Sequence, residues 1–252
     1  MNKLPRINIL GIPVNPLTMA EAVKYLTGCI EAKVNTNVVT ANAEIIMMGH
    51  KDPQYRRVLE NASCILPDGA GTVWGGRQLG FKVPERVAGF DLFLEMMKTA
   101  GEKGFKVYFF GSAPGIAEAA KEKCLKMFSG LSVVGCRNGF FKEEDNAGIV
   151  SDINASNADI LFVALGAPKQ ELWLNRYSKD LKPFVRIGIG GSFDVLAGKM
   201  QRAPKWMQEA SLEWLFRLYK QPSRLGRMMV LPEFVIEILK AKYSGETIDK
   251  AL

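Results

Sequence analysis

Several kinds of functional residue are scarce or missing in this chain of 252 residues. It has one histidine, His50, at a predicted helix end, so a Ser-His-Asp catalytic triad or a Cys-His catalytic dyad would depend on that residue alone. Its four cysteines have no C-x-x-C spacing, which favours buried thiols in a reducing cytosol over a zinc site or redox pair. The sequence also lacks a Walker A motif, G-x-G-x-x-G, D-x-D, H-x-H and H-E-x-x-H. We therefore predict no metal and no cofactor, and neither an NTPase nor a dinucleotide-dependent oxidoreductase.

Long uncharged apolar segments are missing as well. No such run approaches the roughly 18 residues of a membrane-spanning helix, and the N-terminus has no signal-peptide core. We therefore expect a cytoplasmic protein that is soluble or peripheral on the inner face of the cell membrane. The hydrophobic content of 48% suffices for one sizeable core. The net charge of +7 favours an anionic partner, either a nucleotide, a phospholipid or a nucleic acid.

Strand and helix patterns alternate along most of the chain. This alternation predicts an α/β fold with a single Rossmann-like, mostly parallel sheet and helices on both faces. The capping box Thr18-Met-Ala-Glu21 begins one helix, Asp52-Pro53 breaks another, and Ile7–Leu10 is predicted as a strand. Strand patterns stop after Leu196. We therefore predict an α/β catalytic core at 1–196 and a C-terminal helical appendage at 197–252.

The predicted appendage is basic and amphipathic. The segment Lys199–Arg227 contains seven Lys or Arg and two Glu. Its apolar stripe consists of Leu212, Leu215, Phe216 and Tyr219, and its second face of Arg217, Lys220, Arg224 and Arg227. Such a segment is typical of a helix at a membrane surface, although a terminal helix packed on the sheet with a solvated basic side has the same pattern. We predict membrane association, and a homo-oligomer is another arrangement that would cover the stripe.

Two buried strands end in turns suited to anion binding. The strand Ile160–Leu165 leads into Gly166-Ala-Pro-Lys-Gln170, which begins a helix whose first N–H groups have no partner within the helix. The strand Val185–Ile189 leads into Gly190-Gly-Ser192, where the backbone can approach a ligand closely. Ordinary strand-to-helix turns have the same composition, so both interpretations stay open. The segment Gly111–Gly115 is a second candidate cradle for a pyrophosphate.

Asp68 is the best candidate for a catalytic carboxylate. It follows the strand Cys64–Leu66 in the turn Pro67-Asp-Gly69, and open parallel sheets bind ligands beyond the carboxyl ends of their strands. A carboxylate there can act as a general base toward a sugar hydroxyl, although Pro-Asp-Gly is also simply a favourable turn. Thr40 and Asn42 leave the neighbouring strand toward the same edge, and Asn42 is a candidate helix N-cap as well.

A set of specific motifs spans nearly the whole chain. Its members are Thr40-Ala-Asn-Ala-Glu44, Leu66-Pro-Asp-Gly-Ala70, Pro84-Glu-Arg-Val-Ala-Gly-Phe-Asp91, Leu165-Gly-Ala-Pro-Lys-Gln-Glu171, Gly190-Gly-Ser-Phe-Asp194, Arg202-Ala-Pro204 and Glu213-Trp-Leu-Phe-Arg217. In this order they resemble the WecG/TagA/CpsF glycosyltransferase family, most of all its wall teichoic acid branch. The resemblance implies metal-independent, inverting transfer of N-acetylmannosamine from UDP-N-acetylmannosamine to position 4 of the N-acetylglucosamine on a polyprenyl diphosphate. Thr40-Ala-Asn42 replaces the family's Thr-Pro-Asn, a small departure.

The resemblance also implies roles for individual residues. Asp68 is then the base, and arginines of a membrane-docked appendage complete the active site. The residues implied in catalysis are Asp68, Arg217 and Arg224, and those implied in substrate binding are Thr40, Asn42, Arg86, Gly111, Lys169, Gln170, Gly191, Ser192 and Arg227. Without a metal, guanidinium groups must stabilise the departing diphosphate.

Alternative functions remain open from the sequence. Similar relatives use N-acetylmannosaminuronate, glucose or glucuronate as the donor sugar. In another class, a nucleic-acid-binding protein would use the basic C-terminus on phosphates, and a membrane scaffold would need only the amphipathic tail. Neither gives a role to the polar residues at the sheet edge. We therefore expect a UDP-sugar, a polyprenyl-diphosphate-linked N-acetylglucosamine and the membrane surface as partners, and no nucleic acid.

Overall fold

The computed structural model describes residues 4–210, 212–222 and 225–244, with Arg217 and Arg227 described in their backbone alone. The strands are β1 Ile7–Ile9, β2 Ile12–Val14, β3 Thr36–Ala41, β4 Cys64–Pro67, β5 Lys106–Gly111, β6 Ser132–Arg137, β7 Ile160–Ala164 and β8 Val185–Gly188. The helices of the core are α1 Met19–Glu31, α2 Ala43–Lys51, α3 Pro53–Glu60, α4 Gly69–Gln78, α5 Gly89–Lys103, α6 Ile116–Met127, α7 Asn146–Ala155, α8 Lys169–Arg176 and α9 Ser192–Leu196. The later helices are α10 Lys205–Glu209, α11 Glu213–Lys220, α12 Leu225–Met228 and α13 Val230–Tyr243.

Six strands form one parallel sheet. Their order is β4-β3-β8-β7-β5-β6, and each neighbouring pair is parallel. All residues of β7 and β8 are buried, as expected for strands with helices on both faces of the sheet. The predicted α/β fold with a mostly parallel sheet is confirmed. The carboxyl ends of β4, β3, β8 and β7 adjoin one another at one edge, where the turns singled out in the sequence lie.

The N-terminal strand does not join this sheet, contrary to the single sheet predicted. β1 pairs antiparallel with β2, which the sequence analysis did not predict, in a separate hairpin. The reversal occurs at Leu10 and Gly11, which both have positive φ, and the Gly11 N–H donates to Asn8 Oδ1 at 2.7 Å. This two-residue turn reverses the chain direction between β1 and β2. Ile9 and Ile12 are fully buried in the apolar cluster that includes α2 and α3.

Two predicted helix signals are confirmed. The Thr18 hydroxyl accepts from the Glu21 N–H, and Glu21 Oε2 accepts from the Thr18 N–H at 2.8 Å, so both halves of the capping box form. The helix ends at Glu31 as predicted. Asp52 separates α2 from α3 because its Oδ1 caps the Gln54 N–H and Pro53 takes the first position of α3.

The C-terminal helices are partly fastened to the core. α13 packs against α2 and α4, and Phe234 and Ile238 are buried in the same apolar cluster as α2. A Cβ on Gly75 would lie 2.8 Å from Phe234 Cζ, so the glycine lets the two helices approach. Within the described residues, no helix combines the length and apolar character needed to cross a bilayer. The predicted division at Leu196 stays a prediction.

The cysteines follow the predicted pattern with one difference. Cys29, Cys64 and Cys124 are buried thiols, while Cys136 is partly exposed. Burial raises the pKa of Cys64 and of Cys124 to about 12, which keeps both thiols protonated and unreactive at neutral pH.

Candidate active site

A polar cleft lies at the carboxyl edge of the sheet. We call it the sheet-edge cleft, and its polar and glycine lining comes from Thr40, Asn42, Glu44, Asp68, Gly89, Gly166, Gln170, Gly190, Gly191, Ser192 and Arg202. Most of these residues follow or end β3, β4, β7 and β8, whose parallel arrangement brings separate chain segments together. Gly89 begins α5, and Arg202 lies between α9 and α10. Six predicted site residues therefore meet here: Thr40, Asn42, Asp68, Gln170, Gly191 and Ser192.

Two glycines allow side chains to lie against the backbone at the base of the cleft. Thr40 Oγ1 donates to the Gly188 carbonyl at 3.3 Å, and a Cβ on Gly89 would lie 2.9 Å from that hydroxyl oxygen. A Cβ on Gly188 would lie 2.6 Å from Gln170 Nε2. Larger residues at 89 or 188 would displace Thr40 and Gln170, so the close packing fixes both polar groups.

Asp68 stands directly after β4 at the start of α4. Its N–H donates to the Ala41 carbonyl at 3.0 Å, and its Oδ2 accepts from the Gly89 N–H at 3.3 Å. Gly69 has φ of +80°, which permits the sharp entry into α4. The half-buried carboxylate lies at a helix N-terminus, where the helix dipole favours negative charge.

Asn42 serves as the N-cap of α2 as predicted. Its Oδ1 accepts from the Ile45 N–H at 2.9 Å. The same residue lines the cleft, and the cap orients its side chain through the oxygen of the amide. The role of Asn42 in substrate binding stays a prediction.

Gln170 belongs to a buried chain of hydrogen bonds. Its Oε1 accepts from the Gly190 N–H at 3.0 Å, and its Nε2 donates to Glu171 Oε1 at 2.7 Å. Tyr55 donates its hydroxyl proton to Glu171 Oε2 at 3.1 Å. Glu171 and Tyr55 were not predicted as site residues. The sequence signal that could have indicated the burial of Glu171 is its position three residues before Leu174, which places both residues on the buried face of α8.

A second, mostly apolar cleft adjoins the first. We call it the apolar cleft, and it is lined by Trp74, Arg86, Glu213, Trp214, Met228, Leu231, Phe234 and Val235, among others. It lies between α4 and the C-terminal helices α11 and α13. Asn42, Glu44 and Asp68 line both clefts, so the two spaces adjoin at these three residues.

An ion-pair network stands beside the junction of the clefts. Arg202 forms a bidentate pair with Asp91 at 2.5 and 2.7 Å, and its Nε donates to Glu213 at 3.2 Å. Glu213 also pairs with Arg86 at 2.6 Å. The network joins α5 and the loop before it to α11. Arg86 lines the apolar cleft and not the sheet-edge cleft, while Arg202, which the sequence analysis gave no role, lines the sheet-edge cleft.

Other predicted site residues lie elsewhere. Lys169 lines a neighbouring groove beside Ser112, with its Nζ 4.3 Å from the centre of the Phe141 ring. Gly111 packs against β7, because a Cβ there would lie 2.4 Å from the Ala164 carbonyl oxygen. Their roles in substrate binding stay predictions.

The predicted arginine cluster falls outside what the structure describes. Arg224 lies outside the described residues, as do the side chains of Arg217 and Arg227, whose backbones belong to α11 and α12. Their convergence on Asp68 stays a prediction. His50 lies in the last turn of α2, near the helix end as predicted, with its Nδ1 3.1 Å from the Leu10 carbonyl oxygen, and it lines neither cleft.

The sheet and its carboxyl-edge cleft define an α/β protein built to bind a substrate beyond its strand ends, with an apolar site beside it. The glycosyl transferase WecG/TagA/CpsF family model matches residues 7–247, and the chain belongs to this family. It is 34% identical over 252 residues to the N-acetylglucosaminyldiphosphoundecaprenol N-acetyl-beta-D-mannosaminyltransferase of Bacillus spizizenii, covering 95% of this chain and 97% of the relative. A Bacillus subtilis protein of the same name is 33% identical over 240 residues, covering 95% and 93%. The resemblance stated from the motifs is confirmed.

Proposed function

We propose that this protein transfers N-acetylmannosamine from UDP-N-acetylmannosamine to N-acetylglucosaminyl-diphospho-undecaprenol, in the synthesis of a teichoic acid linkage unit or a related cell-surface polysaccharide. The observation that carries the proposal is the meeting of a polar and an apolar cleft at Asp68. A transfer between a soluble nucleotide sugar and a lipid-linked sugar needs both kinds of site around one reactive group. The names of the two relatives support the same reaction.

The sheet-edge cleft is the proposed donor site. Thr40, Asn42 and Gln170 supply hydroxyl and amide groups, and the Gly190–Ser192 turn lets the backbone approach a phosphate or sugar oxygen. We assign the neighbouring groove, which Lys169 and Ser112 line, to the anionic remainder of the same nucleotide. Gly111 directly precedes Ser112 at the end of β5.

The apolar cleft is the proposed acceptor site. Trp74 and Trp214 offer aromatic surface to the first isoprene units and to the apolar face of N-acetylglucosamine. Arg86 lies in this cleft, and we therefore assign its predicted role in substrate binding to the acceptor diphosphate.

In the proposed reaction, the 4-hydroxyl of the acceptor sugar attacks the anomeric carbon of the donor. Asp68 accepts the hydroxyl proton, a bond forms from the hydroxyl oxygen to the anomeric carbon, and the bond from that carbon to UDP breaks on the opposite face. The configuration therefore inverts. UDP leaves with the bonding electron pair, and we assign its stabilisation to Arg217, Arg224 and Arg227. This assignment predicts that a chelator such as EDTA leaves the rate unchanged.

Replacement of Asp68 tests the proposed reaction. Asp68→Asn keeps the size of the side chain but removes its basicity, so we expect turnover to fall by about a hundredfold or more. UDP affinity, measured by calorimetry, should stay near the wild-type value. Turnover is measured as UDP released with a short-chain lipid-diphosphate-N-acetylglucosamine acceptor.

The matched control is Asp52→Asn. Asp52 also stands at a helix N-cap, where asparagine caps equally well, and it lines neither cleft. We expect wild-type turnover from this variant. Full activity of Asp68→Asn would remove Asp68 from the mechanism. Release of UDP from UDP-glucose, UDP-glucuronate or UDP-N-acetylmannosaminuronate, with none from UDP-N-acetylmannosamine, would overturn the proposed donor.

We also propose that the helices after Leu196 dock on the inner face of the membrane. Trp206 and Tyr219 expose 63% and 78% of their surface, and Leu225 and Met229 are also exposed. Trp206, Tyr219 and Leu225 belong to α10, α11 and α12, and Met229 precedes α13. A surface with exposed aromatic and aliphatic residues among Lys and Arg fits an anionic bilayer, which also contains the lipid-linked acceptor.

A further inference from the structure

A hydrogen-bonded chain links α3 to the proposed donor site through the interior. It runs from Tyr55 through Glu171 to Gln170 and ends at the Gly190 N–H, with distances of 3.1, 2.7 and 3.0 Å. Tyr55, Glu171 and Gln170 are each at least 96% buried, so water contributes little to holding them. The mechanism derived above gives no role to Glu171 or Tyr55.

These hydrogen bonds determine the orientation of the Gln170 amide, that is, whether its oxygen or its nitrogen faces Gly190 and Glu171. In the observed orientation, Oε1 meets a donor, the Gly190 N–H, and Nε2 meets an acceptor, Glu171 Oε1. In the reversed orientation two oxygens would face each other at Glu171, and two N–H donors at Gly190. Each mismatch leaves buried polar groups unpaired, which is costly in a water-excluded site.

The fixed orientation leaves Gln170 with one defined group for a ligand. Nε2 has two protons, and the bond to Glu171 uses one of them. Gln170 lines the sheet-edge cleft, so the second N–H is a donor for an oxygen of a bound molecule. Such a donor suits a phosphate or a sugar hydroxyl.

We propose that Glu171 and Tyr55 are positioning residues, which hold the Gln170 amide so that its N–H, and not its carbonyl, faces a phosphate or sugar oxygen of the nucleotide-sugar donor. This inference rests on the proposed function for the identity of the donor. Glu171 fixes the amide, and Tyr55 fixes Glu171 by donating to its second oxygen. Burial and the adjacent Glu171 raise the pKa of Tyr55, which keeps the hydroxyl proton in place across the working pH range.

Two substitutions of Glu171 separate positioning from simple packing. Glu171→Met fills similar space without an acceptor, so the amide loses the bond that fixes it. Glu171→Gln keeps an oxygen for Gln170 Nε2, while its own amide can donate to the Tyr55 hydroxyl oxygen. Glu171→Met leaves the Tyr55 hydroxyl buried without its acceptor, and this could prevent folding. The double variant Tyr55→Phe with Glu171→Met also removes that hydroxyl, and it replaces Glu171→Met in the experiment if the single variant does not fold.

The matched control perturbs the same helix, α8, through a residue of α7. Trp173 of α8 donates to Asn146 Oδ1 at 2.8 Å, and Asn146 is buried and lines neither cleft. Asn146→Leu removes this bond and so perturbs the packing of α8 without touching Gln170. A purely structural role for Glu171 would give Glu171→Met and Asn146→Leu the same kinetic effect for the same loss of Tm.

The kinetic expectation is specific. We expect kcat/KM for the UDP-sugar to fall about tenfold to a hundredfold in Glu171→Met, the range for losing a well-oriented hydrogen bond to a charged group. Glu171→Gln should recover to within about threefold of wild type, and Asn146→Leu should stay within about threefold. Equal values for Glu171→Met and Asn146→Leu, or no recovery in Glu171→Gln, would overturn the inference.

A second readout is independent of turnover. The side-chain amide protons of Gln170, labelled with ¹⁵N-glutamine and assigned by their absence in Gln170→Met, should exchange slowly with solvent in the wild type. They should exchange faster in Glu171→Met and slowly again in Glu171→Gln. Fast exchange in the wild type would overturn the positioning role. If the wild type neither binds UDP nor releases it from a UDP-sugar, the proposed function fails. The exchange rates still decide whether Glu171 and Tyr55 hold the Gln170 amide.

Discussion

Two charged side chains, Arg186 and Glu171, lie almost entirely inside the molecule and are stabilised in different ways. The Arg186 guanidinium donates to the carbonyls of the 178–183 segment and to the side-chain oxygens of Asn35 and Asn37. Burial lowers the pKa of Arg186 to about 10, so it stays charged at neutral pH. Glu171 receives only two donated hydrogen bonds from other side chains, and burial raises its pKa.

The raised pKa of Glu171 makes stability depend on pH. A carboxyl with a higher pKa in the folded state binds its proton more tightly there, so it favours folding below the ordinary value of 4.5. That contribution is lost as the pH rises through the raised value. We expect the free energy of unfolding of wild type, relative to Glu171→Gln, to decrease from pH 4.5 to pH 7.5. Urea unfolding of both proteins at the two pH values measures this difference. A difference that is constant or increases with pH would contradict it.

At the residue scale, the sequence predicts the groups that follow strands but not their distant partners. Asp68 and Gln170 were predicted because each lies beyond an apolar strand, and Thr40 because it stands near the carboxyl end of a neighbouring strand. The pairing of Arg202 with Asp91 joins residues 111 positions apart, and nothing local indicates it. Glu171 is likewise explained only by Tyr55, on a helix that the fold brings alongside.

At the scale of elements, α13 depends on one aromatic side chain. Phe234 is buried, and its ring lies against Gly71 and Gly75 of α4, where a Cβ would be 3.9 and 2.8 Å away. The glycines form a shallow face on α4 that accepts the ring. Side chains of α2 add polar contacts to α13, Lys51 Nζ with Glu233 Oε2 at 2.6 Å and His50 Nε2 with Glu237 Oε2 at 3.8 Å. Both contacts are partly exposed and therefore weak.

Removal of this ring should loosen α13. We expect Phe234→Ala to destabilise the protein by about 3 to 5 kcal/mol, the usual cost of deleting a buried aromatic side chain. Ile236→Ala, on the exposed side of the same helix, should change stability by less than about 0.5 kcal/mol. Urea unfolding gives both values, and limited proteolysis shows whether cleavage begins before α13. Similar values for the two variants would mean that α13 is not held by this contact.

Local signals predicted the elements better than their packing. Thr18, Asp52 and Pro53 mark helix boundaries through bonds to neighbours in sequence, so those boundaries were predicted correctly. The β1–β2 hairpin was missed because β2 has only three residues and contains Pro13. The attachment of α13 was missed because it depends on the small size of Gly71 and Gly75, 160 or so positions earlier in the chain.

At the scale of the whole molecule, apolar residues are exposed unevenly. Trp206, Tyr219, Leu225 and Met229 are exposed on the C-terminal helices, in the segment that also has the largest excess of Lys and Arg. The sequence predicted this amphipathic segment from its composition. It could not show that the last helix returns to the core, so the predicted boundary at Leu196 is a poor place to truncate the protein for a membrane test. Truncation would also uncover the surface that Phe234 and Ile238 bury.

Substitutions in the full chain give the sharper test of membrane docking. We expect the triple variant Trp206→Ser, Tyr219→Ser and Leu225→Ser to bind vesicles of phosphatidylglycerol and phosphatidylethanolamine at least about tenfold more weakly than wild type. Each change removes apolar area that would enter the membrane interface. Its Tm should stay near the wild-type value, since all three side chains are exposed. Phe140→Ser is the control, because Phe140 is 73% exposed but belongs to the groove beside Lys169, away from the C-terminal helices. Equal vesicle binding by the triple variant and wild type, or an equal loss in Phe140→Ser, would show that this surface does not dock on the membrane.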